Sequence, residues 1–228
     1  MSEEVRLVVD QAFHLARQMR TDRRWFTPLV ALYWKLAFIS TRILEKRITQ
    51  HPVGLQNDTV LNFGCGNRFY VGAVNSDLFT PHRYIKRKRR PDLFWSGVTE
   101  LEYLRGRFKG VVCEHVIEHM LPDNALNLFK NFFRVLAPAG VIVISFPDIH
   151  RVLANGDCQG YSSSMVALNS VVYRHGHTFM YDKDMVCELL RQAGFSEIEV
   201  TSFERAPLPE FLDPNREFES AYIVAKRR

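Results

Sequence analysis

"TVLNFGCGNRFYVGAVNSDLF" occupies residues 59–79, and its reading decides the fold. "TVLNFG" (59–64) and "AVNSDLF" (73–79) are short runs of branched and aromatic side chains, the pattern of buried strands. Gly64-Cys65-Gly66 stands where the first run ends, and Asp77 closes the second. Glycines there allow a sharp turn and bring a ligand close to main-chain N–H groups. An acid at the end of the neighbouring strand can accept two hydrogen bonds from a ribose diol. A dinucleotide fingerprint would need a third glycine and an acid about 20 residues on. Here Arg68 and Phe69 follow the turn and Asp77 comes 11 residues after Gly66, so a pyrophosphate site is a poor reading.

The same pattern continues outward. "DLFWSG" (92–97), "GVVCEHV" (110–116), "VIVISFPD" (141–148), "EIEVTSF" (197–203) and "SAYIVAKRR" (220–228) read as further strands. Ala125, Leu128, Phe129, Phe132, Phe133 and Leu136 make one helical stripe, stopped at "APAG" (137–140). Met185, Val186, Leu189, Leu190 and Ala193 make another, ending at Gly194. Alternating strands and helices predict an α/β fold with a doubly wound, mostly parallel sheet. Val5, Val8, Val9, Ala12, Phe13, Ala16 and Met19 predict a helix before it, and a second helical run ends near Gln50. The expected organisation is a helical extension or lid over 1–56 and a main domain over 57–228.

The 228 residues are 46% apolar and 24% charged, as in ordinary globular proteins. Cys65, Cys113, Cys158 and Cys187 form no C-x-x-C pair, which argues against a thiolate zinc cage or a disulfide scaffold. The acidic start "MSEEVRLVVDQAFH" is unlike a secretory signal, and a cytoplasmic location is expected. "WFTPLVALYWKLAFIS" (25–40), interrupted by Lys35, falls short of the roughly 20 apolar residues of a spanning helix. It predicts a packed helix, with peripheral membrane contact as the alternative. Trp25, Phe26, Tyr33 and Trp34 suit core packing, a lid or a dimer surface, so monomer and homodimer both stay open. Six of the +5 chain's basic residues crowd into "RYIKRKRR" (83–90), a solvated loop or a patch for phosphate-bearing acceptors or nucleic acid.

"VLNFGCGNRFYVGAVNSDLF", "VVCEHVIEHM", "NFFRVLAPAGVIVISFPD" and "HTFMYDKDMVCELLRQAGF", in that order, resemble class I S-adenosylmethionine-dependent methyltransferases. The likeness is to a bacterial branch whose first motif reads approximately L-N-x-G-C-G, and it covers residues 59–203. It implies a Rossmann-like, mostly parallel seven-stranded sheet with a C-terminal antiparallel strand. It implies S-adenosyl-L-methionine as cofactor and S-adenosyl-L-homocysteine as product. Gly64, Cys65, Gly66 and Asn67 would line the methionine side, Asp77 would hold the ribose, and Leu78 would pack near the adenine. Gly97 and Val98 match the adenine segment, although the family usually has Asp where Gly97 stands. Gly110 replaces an acid at the start of the fourth strand, and Ala139 replaces the first glycine of P-G-G. Glu114 would edge the cofactor pocket and His115 its floor, with Glu118 and His119 organising the turn behind.

"HVIEH" (115–119) also satisfies the H-x-x-E-H pattern of a group of zinc peptidases. That reading needs His115 and His119 on one face of a regular helix, with Glu188 or Asp148 as third ligand. A strand running into the motif and Pro122 soon after argue against it, so no metal is expected. Methyl transfer to an alcohol needs a proton acceptor, and the connection 149–182 carries His150, His175 and His177. "RHGHTFMYD" makes His177 the first candidate base and His175 the second, Gly176 letting the two imidazoles point differently. The expected activity is O-methylation of a small-molecule, sugar or glycan acceptor. RNA methylation through the basic run, a non-catalytic binding protein and a zinc hydrolase are the alternatives.

Overall fold

In the computed structural model, residues 27–47, 59–79, 90–155, 161–173 and 176–228 are described. Seven strands form one sheet: β1 (Thr59–Phe63), β2 (Ala73–Asp77), β3 (Leu93–Phe94), β4 (Phe108–Glu114), β5 (Leu136–Pro147), β6 (Ser196–Thr201) and β7 (Ser220–Lys226). Their order is β3-β2-β1-β4-β5-β7-β6. β7 runs antiparallel to both its neighbours, β5 and β6, and the remaining pairs are parallel. This is the Rossmann-like α/β architecture expected.

Among the described residues, five α-helices accompany the strands: α1 (Thr27–Arg47), α2 (Pro122–Val135), α3 (Ile149–Asn155), α4 (Ser164–Tyr173) and α5 (Lys183–Gln192). α2 buries the predicted stripe, Ala125, Leu128, Phe129 and Phe132 all being inaccessible to solvent. Phe132 and Phe63 of β1 meet edge to face, and both meet Trp95 likewise, so helix, central strand and sheet edge share one aromatic cluster. Asp182 starts α5 by accepting a bond from the Met185 N–H (2.7 Å). The connection 149–182, expected as a long loop, contains α3 and α4. They meet through Val152, Ala167 and Val171 in a small core of their own.

α1 covers the helix expected within 25–40 and packs there through Ala37, while Leu32, Leu36 and Ile39 are exposed; no described helix is long and apolar enough to cross a membrane. Ala37, Thr41 and Glu45 are its buried face, at helical spacing. The Phe79 N–H donates to the Thr41 hydroxyl (2.8 Å), and the Ser96 N–H donates to the Glu45 carboxylate. α1 is thereby fixed where β2 and β3 end. The expected border after residue 56, the helix predicted over 5–19 and residues 82–89 of the basic run lie outside the described residues.

β5 begins earlier than its apolar run because Leu136 pairs with Phe108 before the register shifts. Within it Ala139 has φ +61°, a left-handed conformation, and its N–H donates to Arg227 O (2.9 Å). That conformation costs a Cβ-bearing residue about 1–2 kcal/mol. Ala139→Gly, which restores the family's residue, is expected to raise unfolding free energy by about 1 kcal/mol in urea titration, part of the relief being lost to a freer unfolded chain.

Candidate active site

The site is built at the carboxyl ends of β1, β2 and β4. After Phe63 the chain turns through Gly64 (φ +70°) and Gly66 (φ +53°). A Cβ on Gly64 would overlap Val116 Cγ2, whereas one on Gly66 would meet only Gly64 O, at 3.8 Å. The turn is therefore packed on one side and open on the other. It is tied down by Cys65 N–H to Ser76 O (2.9 Å) and Arg68 N–H to Cys65 O (2.7 Å). Cys65 is buried, Gly66 half-buried and Asn67 exposed. Phe63 pairs with Ser76, which puts Gly64 beside Asp77, roughly one strand spacing of 4.8 Å away. Asp77 is half-buried, and its Oδ1 accepts from the Leu78 N–H (2.8 Å).

Two buried asparagines shape the segment between those strands. Asn62 and Asn75 are opposite one another in β1 and β2, and the Asn62 amide donates to Asn75 Oδ1 (3.0 Å). Asn62 also donates to Arg68 O, while Asn75 accepts from Tyr70 N–H and donates to Tyr70 O. The two amides replace the hydrogen bonds that a helix would have supplied, so 67–72 folds back as a compact turn. Asparagines inside otherwise apolar strands were the signal for this in the sequence, and it went unread.

At the end of β4, Glu114 accepts from the Asp213 N–H (3.1 Å). Arg68 leaves the glycine turn to pair with Asp213 and lies 3.7 Å from Glu114. Burial holds the Glu114 carboxyl above the usual range, against the pull of Arg216 and Arg68. His115 has φ +51°, which swings its ring away from the strand line. Its Nε2 lies 2.6 Å from Ser220 Oγ, and the Ser220 hydroxyl donates to Arg216 O (2.7 Å). Ser220 thus accepts from His115, leaving the lone pair on Nδ1, 3.4 Å from Glu118 Oε1. Burial pushes the His115 imidazole well below its ordinary pKa, with Arg216 next in effect.

Ile117–His119 is a single 3₁₀ turn, not the regular helix that the H-x-x-E-H zinc arrangement requires. His115 faces Ser220 and His119 faces elsewhere. Of the third ligands that reading considered, Asp148 pairs with Lys183 (3.1 Å) and Glu188 with Arg191 (3.2 Å). The turn instead receives the segment 176–181. Thr178 N–H and Phe179 N–H donate to Glu118 O (2.7 and 3.1 Å), and the Tyr181 hydroxyl donates to Met120 O (2.9 Å). His177 is thereby held with Nε2 at 3.8 Å from Glu118 Oε1 and its ring edge-on to His119, centroids 4.9 Å apart. Ligand atoms of Glu118, His119 and His177 all lie within 4.8 Å of one another. Burial pushes the Glu118 carboxyl up to about 8.

Of the remaining predicted residues, Leu78 and Val98 are half-buried near the strand ends. Gly97 is buried, and a Cβ there would overlap Leu128 and lie 2.8 Å from Phe63 Cζ. Its carbonyl accepts from the Asn131 amide (2.6 Å). A side chain at Gly97 would enter the core, which accounts for glycine where the resemblance expects Asp, and Val98 beside it is half-buried. Gly110 is buried beneath Leu208. His175 lies outside the described residues. Arg68, Asp213, Arg216 and Ser220 were not among the predicted residues.

A family model described as a methyltransferase domain matches residues 36–200. No curated protein matches. Among solved structures, one described as a possible exported protein from Bordetella parapertussis is 14% identical, with 87% of this chain and 69% of that one covered and a TM-score of 0.50. A SAM-dependent methyltransferase from Archaeoglobus fulgidus is 14% identical, covering 82% and 94%, with a TM-score of 0.49. Phosphoethanolamine N-methyltransferase 2 of Haemonchus contortus, in complex with S-adenosyl-L-methionine, is 14% identical over 91% and 59%, with a TM-score of 0.43. At 14% identity and a TM-score of 0.50, the first of these speaks to the fold alone. The family match does more, since it runs from within α1 to within β6 and takes in the glycine turn, Asp77, the 114–119 turn and His177. The chain belongs to the methyltransferase domain family and is an S-adenosylmethionine-dependent methyltransferase.

Proposed function

We propose that the chain transfers the methyl group of S-adenosylmethionine to a hydroxyl oxygen of a small-molecule, sugar or glycan acceptor. The open side of the Gly64–Asn67 turn supports placing the methionine part there, with Asp77 accepting from both ribose hydroxyls. Leu78 and Val98 flank the adenine. Glu114 is turned toward Arg68 and Asp213, so its part is to brace the turn from behind. The cofactor supplies an electrophilic methyl on a sulfonium whose departure needs little help. What the protein adds is alignment, exclusion of water and, for an alcohol, a destination for the proton.

The observation that carries the choice of oxygen is the Glu118–His119–His177 cluster. An amine acceptor needs only to arrive neutral, whereas a hydroxyl must lose a proton as it attacks. Glu118 and His119 follow closely in the chain on Val116, the residue against which the glycine turn packs, and His177, the expected base, is clustered with them. The test is incubation with methyl-labelled cofactor and a panel of monosaccharides, sugar phosphates, phenols, amines and RNA. Label recovered as a methyl ether on a small hydroxyl compound is the expected result. Transfer confined to nitrogen or to RNA would overturn the reading.

A further inference from the structure

We infer that Glu118, His119 and His177 form a site for one divalent transition-metal cation, set beside the methyl-transfer site. The donor set, one carboxylate and two imidazoles, is that of a catalytic site with open coordination positions. The atoms lie within 4.8 Å of one another, so contraction of under an ångström brings them around one ion at bond lengths of roughly 2.0–2.2 Å.

Three further observations point the same way. Both Glu118 carboxyl oxygens are buried and make no hydrogen bond, Oε1 lying 3.4 Å from His115 Nδ1 and 3.8 Å from His177 Nε2, and the side chain is only 1% exposed. A carboxyl so placed is unfavourable unless protonated or paired, and a dication pairs it. His119 Nδ1 lies 3.2 Å from Gly176 O, which makes Nδ1 the donor and commits Nε2 as the basic nitrogen, the second-sphere arrangement typical of metal-binding histidines. The site is also assembled beforehand. Thr178 N–H, Phe179 N–H and the Thr178 hydroxyl bond to the carbonyls of Glu118 and His119, so the two ligand-bearing segments are stapled together without an ion.

The role follows from position, and this part rests on the proposed O-methylation. With three protein ligands, the cation has room for the acceptor hydroxyl and lowers its pKa, so that the proton passes to water. The oxygen then forms its bond to the methyl carbon as the carbon–sulfur bond breaks, and the pair of electrons leaves on the neutral thioether. His177 is in this scheme a ligand and not the base.

The test uses full-length protein stripped with a chelator and titrated calorimetrically with Zn²⁺ and Mn²⁺, then separately with S-adenosylhomocysteine. One equivalent of Zn²⁺ or Mn²⁺ is expected to bind, with affinity falling by at least about 100-fold in His119→Ala and in His177→Asn. Affinity for S-adenosylhomocysteine should stay within about threefold in both, and circular dichroism should show both folded. His119 is exposed, so its variant is the safer one if the buried His177 does not tolerate change. Stripped protein that binds S-adenosylhomocysteine but no cation, or variants that keep full cation affinity, would overturn the site. Cation binding without S-adenosylhomocysteine binding would support the site and count against the cofactor assignment instead.

Discussion

Asp77→Ala is expected to weaken binding of S-adenosylmethionine and S-adenosylhomocysteine by roughly 10²- to 10⁴-fold. Two hydrogen bonds from a ribose diol to an ionised carboxylate are worth about 1.5–3 kcal/mol each, and each 1.4 kcal/mol is tenfold in affinity. The fold should tolerate the change. Asp77 is half-buried at the end of β2, and its Oδ1 accepts from the next residue's N–H. Isothermal titration beside a thermal melt separates the two effects. An affinity within threefold of wild type, in protein that melts normally, would remove Asp77 from the ribose site.

Gly97→Asp is expected to be the most damaging single change, although it installs the residue the family usually carries. Gly97 has φ +79°, unfavourable for a Cβ by about 1–2 kcal/mol. The new Cβ would overlap Leu128, which is fully buried, and crowd Phe63 at 2.8 Å. Overpacking of this kind costs about 1–3 kcal/mol before the carboxylate is considered, and a buried carboxylate adds more. A loss of about 4 kcal/mol or more is expected in urea unfolding, enough to leave a marginal domain partly unfolded. Gly97→Ala, which adds the overlap without the charge, should lose about 2–4 kcal/mol. If Gly97→Asp folded normally and bound S-adenosylhomocysteine more tightly, residues 97–99 would have to lie differently, with the adenine contact available after all.

Gly64, Gly66 and Gly97 show what was legible in the sequence and what was not. Gly64 and Gly66 could be assigned a ligand turn because the evidence was local: a strand before, a strand after, an acid at its end. Gly97 looked like a gap in the same pocket because Leu128, which fills it, comes from a helix about 30 residues away. The strands were readable as short branched runs, since burial on both faces leaves little else. β3 came out shorter than its run because the Ser96 N–H turns away to the Glu45 carboxylate. The cluster of Glu118, His119 and His177 was divided in the sequence between a motif and a loop. H-x-x-E-H suggested His115 as a ligand, but a left-handed residue at the strand end turns that ring toward Ser220. His177 replaces it through backbone bonds across 60 and 61 residues, and no periodicity encodes such a closure. The pairing of Glu114 with Asp213 spans 99 residues and was silent for the same reason.

β7 sits between β5 and β6 although it follows both in the chain. While the polypeptide emerges from the ribosome, β6 has no strand to join and the apolar flank of β5 is bare. Residues 220–226 are the wedge that closes this gap from both sides at once. The methyltransferase cannot complete its sheet during synthesis of the first 219 residues, and the nascent chain must be kept from pairing with its neighbours until that wedge has been made.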